Sequence, residues 1–163
     1  MKIAGIRKTS LVDGYGVNYT IFTQGCYHGC EGCHNPSTWD TEGGYEIALK
    51  EIQQDILSTS LVTGVTFSGG DPMDQFSEVL ELAQWCFSQG LLVTMYTGYT
   101  LNFSWGTVDF VNSKNQQIYT GYTNELQYFD YIIDGPFECD KKTLDLPFRG
   151  SSNQRILKKG VDY

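Results

Sequence analysis

The sequence predicts an α/β fold in which about five mostly parallel strands form a partial, open barrel. Segments with strand character alternate with segments of helical period, and this order is typical of parallel strands joined by right-handed crossovers. Residues 91–97 (LLVTMYT) are almost all apolar or β-branched, as expected for a strand that is buried on both faces. About five parallel strands are too few to close an eight-stranded barrel, so we expect an open, curved sheet.

The first half of the chain contains two predicted strands, each followed by a loop and a helix. Residues 17–23 (VNYTIFT) and 62–68 (VTGVTFS) are rich in β-branched and aromatic side chains, which favour strands. Residues 45–57 and 73–89 place apolar side chains at helical spacing, and Gly90 is suited to end the second helix. The loops after the two strands are rich in cysteine and glycine, which makes both of them candidates for a functional site.

The second half of the chain continues the predicted sheet. A polar and aromatic stretch, residues 100–127, follows the third strand and shows only a weak helical period. Residues 128–134 (YFDYIID) predict a further strand that ends at Gly135, and residues 155–158 predict a last short strand. Active sites of parallel α/β folds lie at the carboxyl ends of the strands, so the loops after these strands should converge on one face.

Three cysteines, Cys26, Cys30 and Cys33, lie in one short loop directly after the first predicted strand. Their C-x3-C-x2-C spacing allows three thiolates to hold three corners of an iron–sulfur cluster, which leaves one iron open for chemistry. A structural zinc site is the alternative, and it would need His28 or His34 to complete its ligands. Disulfides are a second alternative, which an odd count of five cysteines disfavours.

Composition predicts a single globular domain, residues 1–163, in a reducing compartment. The chain is 40% hydrophobic, and its net charge of −8 argues against a nucleic-acid partner, which would need clustered Lys and Arg. The first residues lack the apolar core of a signal peptide, and no apolar stretch approaches the roughly 20 residues of a membrane span. We therefore expect a cytoplasmic protein without a membrane partner, in which the thiols stay available for metal.

Six motifs together carry a resemblance to a known family. They are DGYG (13–16), GCYHGCEGCHNPSTW (25–39), SGGDP (68–72), YTGY (96–99), DGPF (134–137) and RGSSNQR (149–155). The cysteine loop with the SGGDP turn resembles the radical S-adenosylmethionine (SAM) enzymes. The whole set resembles the activating enzymes of anaerobic (class III) ribonucleoside-triphosphate reductase, from about residue 6 to residue 157.

The resemblance implies a radical SAM type of fold and the activity of a glycyl-radical activase. Such an enzyme holds a [4Fe–4S] cluster on Cys26, Cys30 and Cys33 and binds SAM at the open iron. It cleaves SAM reductively and generates a glycyl radical on the reductase. No catalytic residue is implied beyond the cluster and SAM. The implied partners are the reductase and an electron donor such as flavodoxin.

The resemblance also implies a set of SAM-binding residues. The glycines of the SGGDP turn would let the backbone approach the ligand, and Asp71 would accept a hydrogen bond from the SAM ammonium group. The alternative is an ordinary turn in which Asp71 caps a helix that begins at Pro72. Arg149 is expected to contact the SAM carboxylate or the partner protein, and residues 149–155 are the expected docking edge. The residues implied to bind SAM are Gly32, Cys33, His34, Ser68, Gly69, Gly70, Asp71, Pro72, Thr97, Tyr99 and Asp134.

Two other functions remain open at this point. Another small radical SAM enzyme, acting on a different protein or on a small molecule, would share most of these motifs. A non-enzymatic module that binds zinc or a cluster would share the cysteine loop. The remaining thiols do not decide between these functions, since Cys86 is expected to be a buried small side chain and Cys139 lies in a polar loop.

Overall fold

Ten β-strands and two α-helices make up the computed structural model, which describes residues 1–163. The strands are β1 (Lys2–Ser10), β2 (Asn18–Thr23), β3 (Tyr45–Glu46), β4 (Gly64–Gly69), β5 (Leu92–Tyr96), β6 (Thr100–Ser104), β7 (Thr107–Val111), β8 (Gln117–Tyr122), β9 (Tyr131–Asp134) and β10 (Arg155–Lys158), and the helices are α1 (Leu49–Ser58) and α2 (Phe76–Ser88). Short 3₁₀ turns lie at Pro36–Thr38, Pro72–Gln75, Thr123–Tyr128 and Cys139–Lys141. Neither α-helix has the length and apolar character needed to cross a membrane.

Seven strands form the main sheet, in the order β10-β9-β5-β4-β2-β1-β3. Its centre consists of four parallel strands, because β2 pairs with β4, β4 with β5 and β5 with β9 in the same direction. The outer strands β1, β3 and β10 run antiparallel to their neighbours. The predicted α/β fold with a mostly parallel sheet is therefore confirmed. The last predicted strand, β10, is present but antiparallel.

The first strand, β1, precedes every element that the sequence predicts. Its sequence, KIAGIRKTS, has no regular alternation of apolar and polar side chains, and only Ile3 and Ser10 of its nine residues are buried. Its pairing with β2 is also irregular, with shifts in register on either side of Gly5–Arg7. A strand of this kind has no periodic signal in the sequence and is recognised only through its partner.

A second sheet of three antiparallel strands, in the order β6-β7-β8, occupies the stretch between β5 and β9. The weak helical period assigned to this stretch is therefore wrong. Leu101, Val108 and Phe110 bury one face of the sheet in the hydrophobic core. Gly106 and Asn115, both with positive φ, lie in the two turns that join the strands. Each strand is so short that its alternation is hard to distinguish from a helical period.

Each α-helix packs into the core through one apolar stripe. α1 begins later than predicted because Tyr45 and Glu46 pair with β1 instead. α2 follows the predicted helix closely, except that the 3₁₀ turn Pro72–Gln75 precedes it. The buried side chains are Ile52 and Ile56 on α1, and Val79, Leu82, Ala83 and Cys86 on α2.

The loops after the four parallel strands lie at one end of the main sheet. The strands β2 and β4 end level with each other, since Thr23 is paired with Gly69. The cysteine loop follows β2, the SGGDP turn ends β4, Thr97 follows β5 and Gly135 follows β9. This convergence agrees with the expectation from the sequence, and the loops surround a cavity.

Candidate metal and cofactor site

A cavity of about 860 Å³ lies at the carboxyl ends of the parallel strands. This volume is within the range of roughly 300–1,000 Å³ that is usual for ligand pockets. The three thiols of the cysteine loop reach the cavity together with the SGGDP turn. The predicted site residues that line it are Cys26, Cys30, Cys33, His34, Ser68, Gly69, Gly70, Asp71, Thr97 and Arg149.

Four residues implied to bind SAM lie outside the cavity lining. Asp134 is fully buried, and its carboxylate accepts hydrogen bonds from the Arg155 guanidinium and from the Leu101 N–H. The Tyr99 hydroxyl donates a hydrogen bond to Asp74 Oδ1 over 2.9 Å. Asp134 and Tyr99 are therefore bonded to other parts of the protein, outside the cavity lining. The four residues outside the lining are Gly32, Pro72, Tyr99 and Asp134.

Local hydrogen bonds hold the cysteine loop against the cavity. The Cys26 N–H donates to the Trp39 carbonyl over 3.2 Å, and the Asn35 N–H donates to Cys33 Sγ over 3.3 Å. Burial raises the pKa of Cys26 to about 12 and also raises the pKa of Cys30. These two thiols are therefore protonated at neutral pH unless a bound cation stabilises the thiolates.

Asp71 joins three segments of the site and is only 1% exposed. Its carboxylate accepts hydrogen bonds from the Thr97 hydroxyl over 2.9 Å and from the Gly98 N–H over 2.8 Å. It also accepts the Met73 N–H over 2.9 Å, which is the helix cap considered as the alternative. His28 of the cysteine loop places Nε2 2.8 Å from the same carboxylate. Both carboxylate oxygens are therefore occupied within the protein.

His28 of the cysteine loop, the buried Asp71 and the half-buried Asp74 form a group of titratable side chains. Burial acts to lower the pKa of His28, but the hydrogen bond to Asp71 and the charges of Asp71 and Asp74 outweigh it, and the pKa is raised. Burial raises the pKa of Asp74 to about 6, and the charge of Asp71 acts in the same direction. Gly98 allows this contact, since a Cβ there would lie 2.7 Å from the His28 ring. The group thus fixes the cysteine loop to the end of β5.

The two glycines of the SGGDP turn lie directly against the start of the cysteine loop. The Gly70 N–H donates to the Thr23 carbonyl over 2.8 Å, and the Asp71 N–H donates to the Gly25 carbonyl over 2.9 Å. A Cβ at Gly70 would overlap the Gly25 carbonyl, and a Cβ at Gly69 would overlap the backbone of Thr23. Contact between the two loops therefore requires these glycines. The sequence had suggested another reason for them, namely that they let the backbone approach a ligand closely.

Aromatic side chains form much of the remaining cavity wall, and they were missing from the predicted site. Phe137 lies 5.3 Å from the His34 ring, measured between ring centroids. Its ring lies near Gly32, where a Cβ would be 3.6 Å from Phe137 and 2.9 Å from Cys139 Sγ. The DGPF motif contains Phe137 and is the signal that could have identified it. The aromatic wall residues are Phe22, Trp39, Tyr96, Phe137 and Phe148.

Arg149 lines the cavity and has a hydrogen-bond donor without a partner. Its Nε is buried and has no hydrogen-bond partner. Arg7, the other arginine in the cavity wall, forms an ion pair with Asp13 at 3.0 Å. Arg149 is therefore suited to bind an anionic group of a ligand inside the cavity.

Comparisons with known proteins agree with this site. Residues 12–157 match the family described as "4Fe-4S single cluster domain". The chain is 32% identical over 151 residues to the anaerobic ribonucleoside-triphosphate reductase-activating protein of Enterobacteria phage T4, across 89% of this chain and 86% of that relative. It is 34% identical to the protein of the same name from Pasteurella multocida (strain Pm70), across 92% of each chain. The chain belongs to the family of anaerobic ribonucleoside-triphosphate reductase-activating proteins.

This reductase-activating family is the one that the sequence motifs resemble, so that prediction is confirmed. Among solved structures, QueE from Escherichia coli matches with a TM-score of 0.48 and 20% identity, across 82% of this chain and 69% of that chain. The assignment to the family rests on the sequence relatives and not on this match.

The cysteine loop of this reductase-activating family member fits an iron–sulfur cluster better than a zinc ion. No group of three or more Cys, His, Asp or Glu side chains is placed to hold one metal ion. The Nε2 atom of His28 is bonded to Asp71 and not directed to the three thiols. A [4Fe–4S] cluster takes each thiolate on a separate iron, and its ligands need not converge on one point. All five cysteines are free, which excludes the disulfide alternative in this structure.

The segment 149–155, predicted as the docking edge, is mostly bonded to the interior. Gln154 donates to the Gly135 carbonyl over 3.0 Å, and Asn153 donates to the Pro136 carbonyl over 2.8 Å. Arg155 forms an ion pair with the buried Asp134 and donates to the Leu101 carbonyl. In this family member the segment therefore holds the loop after β9 in place.

Proposed function

We propose that this chain is a glycyl-radical activase. It uses a [4Fe–4S] cluster on Cys26, Cys30 and Cys33 to cleave SAM reductively and to generate a glycyl radical on an anaerobic ribonucleoside-triphosphate reductase. One observation carries the proposal: the three thiols open on a single cavity at the carboxyl ends of the parallel strands. The names of relatives that match up to 92% of the chain support the choice of reductase.

The residues of the chain hold and orient the cofactors in this proposal. Cys26, Cys30 and Cys33 would hold the cluster through their thiolates, which would leave one iron free for SAM. When bound, the cluster and SAM supply one-electron chemistry that removes a hydrogen atom from a glycine backbone. Arg149 binds the SAM carboxylate, because it lines the cavity and its buried Nε has no hydrogen-bond partner.

The other predicted SAM residues are assigned by where they lie. The backbone of Ser68–Gly70 forms the floor of the cavity, and His34 with Phe137 forms the wall for the adenine ring. The absence of a side chain at Gly32 leaves room for Cys139, whose Sγ would lie 2.9 Å from a Cβ at that position. Asp71 positions the cysteine loop, because both of its oxygens are already bonded. Supporting roles outside the cavity lining are assigned to Pro72, Tyr99 and Asp134, whereas Thr97 lines the cavity and donates a hydrogen bond to Asp71.

The remaining parts of the proposal concern shape, location and partners. We infer that the open sheet curves as a partial barrel around the cofactors, within one domain that spans residues 1–163. Five free cysteines support a reducing, cytoplasmic location. The net charge of −8 favours protein partners over nucleic acid or an anionic membrane. One of these partners is an electron donor such as flavodoxin.

Anaerobic reconstitution with iron and sulfide, followed by mixing with SAM, a reductant and the reductase, tests the proposal. We expect 5′-deoxyadenosine to form and a glycyl doublet to appear in the electron paramagnetic resonance spectrum. Cys30→Ala should abolish both signals, whereas Cys86→Ala, a change in the core, should retain both. SAM cleavage without a protein radical would favour another small radical SAM enzyme. A colourless protein that binds zinc would contradict an enzymatic function.

A further inference from the structure

Three aliphatic side chains stand exposed at the mouth of the cavity. Leu11 is 75% exposed, Val12 is 72% exposed and Leu144 is 90% exposed. All three also line the cavity, so they lie at its entrance and not elsewhere on the surface. A single exposed leucine is ordinary, whereas several around the opening of a site indicate an interaction surface.

These side chains belong to two loops that contact each other. The first lip, residues 11–16, connects β1 to β2, and the second lip, residues 143–150, lies between β9 and β10. The rings of Tyr15 in the first lip and Phe148 in the second lie 4.7 Å apart. Tyr15 also packs against Tyr131 of β9 at 4.2 Å, which fixes the first lip to the main sheet.

Backbone hydrogen bonds close the base of the second lip. The Thr143 N–H donates to the Gly150 carbonyl over 3.1 Å, and the Ser152 N–H donates to the Lys141 carbonyl over 2.9 Å. Phe148 has a φ of +59°, which is uncommon for a bulky residue and is typical of functional loops. Leu144 is next to this bonded base and remains exposed.

We propose that the two lips bind an extended polypeptide segment of the reductase, with apolar side chains on both sides of its target glycine. This inference rests on the proposed function. A glycine has no side chain to hold, so the residues that flank it must supply the contacts that place its backbone in the cavity. Leu11, Val12 and Leu144 offer apolar contacts at that position, and the segment 149–155 is bonded inward.

Aspartate substitutions in the lips test the proposal. Leu11→Asp and Leu144→Asp place a charge where an apolar contact would form, so we expect affinity for the purified reductase to fall at least about tenfold. The matched controls are Leu57→Asp and Val161→Asp, since these side chains are 66% and 74% exposed at other sites. Affinity is measured anaerobically by calorimetry on reconstituted proteins, and glycyl-radical yield is measured at limiting activase.

The outcomes separate this inference from the proposed function. If wild-type activase yields no glycyl radical, the proposed function fails. If wild type yields the radical and the lip variants bind the reductase as tightly as the controls, the docking inference fails. A change in self-association without a change in reductase affinity would overturn it too, because the lips would then contact a second copy. Leu11→Ser and Leu144→Ser repeat the test without added charge, and circular dichroism verifies that each variant folds.

Discussion

Asp71 has a structural role that its place in the SGGDP motif does not reveal. Its carboxylate accepts hydrogen bonds from Thr97 and Gly98 and contacts His28, so one buried side chain joins the ends of β4 and β5 to the cysteine loop. The sequence allowed two roles, a SAM contact and a helix cap. The structure shows the helix cap, in which Asp71 accepts the Met73 N–H, and also a contact with His28. No local pattern in the sequence could have paired His28 with Asp71.

Replacing Asp71 with Asn should therefore weaken the fold as well as the site. Asn retains the shape but loses the charge that favours the Gly98 N–H and His28, so we expect the free energy of unfolding to fall by about 1–3 kcal/mol. Urea unfolding of the protein without cofactors measures this loss. Asp109→Asn is the matched control, because Asp109 accepts a hydrogen bond from Thr120 at an exposed site. Equal losses in both variants would contradict the assigned role.

Arg149 provides the second test at the scale of single residues. Arg149→Gln removes the charge that we assign to the SAM carboxylate, so SAM affinity should fall about tenfold or more while the cluster still assembles. Anaerobic calorimetry of the reconstituted protein with SAM measures the affinity, and the visible spectrum reports the cluster. Lys50→Gln, an exposed change on α1, is the control. Unchanged SAM affinity in Arg149→Gln would contradict the contact with SAM and would favour a contact between Arg149 and the partner protein.

Between elements, the contact of the cysteine loop with the SGGDP turn decides how the site is built. The Asp71 N–H donates to the Gly25 carbonyl, and a Cβ at Gly70 would overlap that carbonyl. The sequence placed both loops after parallel strands and so predicted that they would meet. It did not predict the direct backbone contact, because that contact depends on the register between β2 and β4. The two strands are more than 40 residues apart in sequence, so no local pattern gives their register.

Gly70→Ala tests this contact. The added Cβ would overlap the Gly25 carbonyl, so the start of the cysteine loop must shift and we expect less iron bound per chain after reconstitution. Gly5→Ala is a matched control, since a Cβ at Gly5 meets nothing within 4 Å. Iron and sulfide analysis gives the result. Wild-type iron content in Gly70→Ala would show that the loop adapts without loss of the cluster.

The elements that the sequence predicted are those with strong local patterns. The strands β2, β4 and β5 have runs of β-branched or apolar side chains, and α2 has a full apolar stripe. The missed strands are short, half exposed or at an edge. They form because they pair with neighbouring strands, and their own sequences have no clear strand pattern. In the second sheet, each strand has only five or six residues, so its alternation is too short to identify a strand from the sequence.

At the scale of the whole molecule, the cavity joins parts of the chain that are distant in sequence. Its lining includes the first lip, the cysteine loop, the SGGDP turn, the end of β5 and the loop between β9 and β10. The rule that sites lie at the carboxyl ends of parallel strands predicted this meeting of loops. The sequence predicted Arg149 at the end of the second lip but not residues 143–148, which have no strand or helix pattern and reach the cavity through tertiary contacts.

Removal of the cluster should therefore lower the stability of the entire fold. The cluster binds a cysteine loop that only the folded chain holds beside Asp71, and a ligand specific for the folded state stabilises it by about 2.7 kcal/mol at a hundredfold excess over its dissociation constant. For a chain of this size, each 1 kcal/mol corresponds to roughly 2–4 °C in the unfolding midpoint. We expect the reconstituted protein to unfold about 5–10 °C above the same protein treated with a chelator, measured anaerobically by scanning calorimetry. Cys30→Ala should lose this difference and Cys86→Ala should keep it, because only the first removes a thiol from the cavity. Equal midpoints with and without the cluster would mean that the cysteine loop is not coupled to the core, in conflict with its contacts to Asp71 and Gly70.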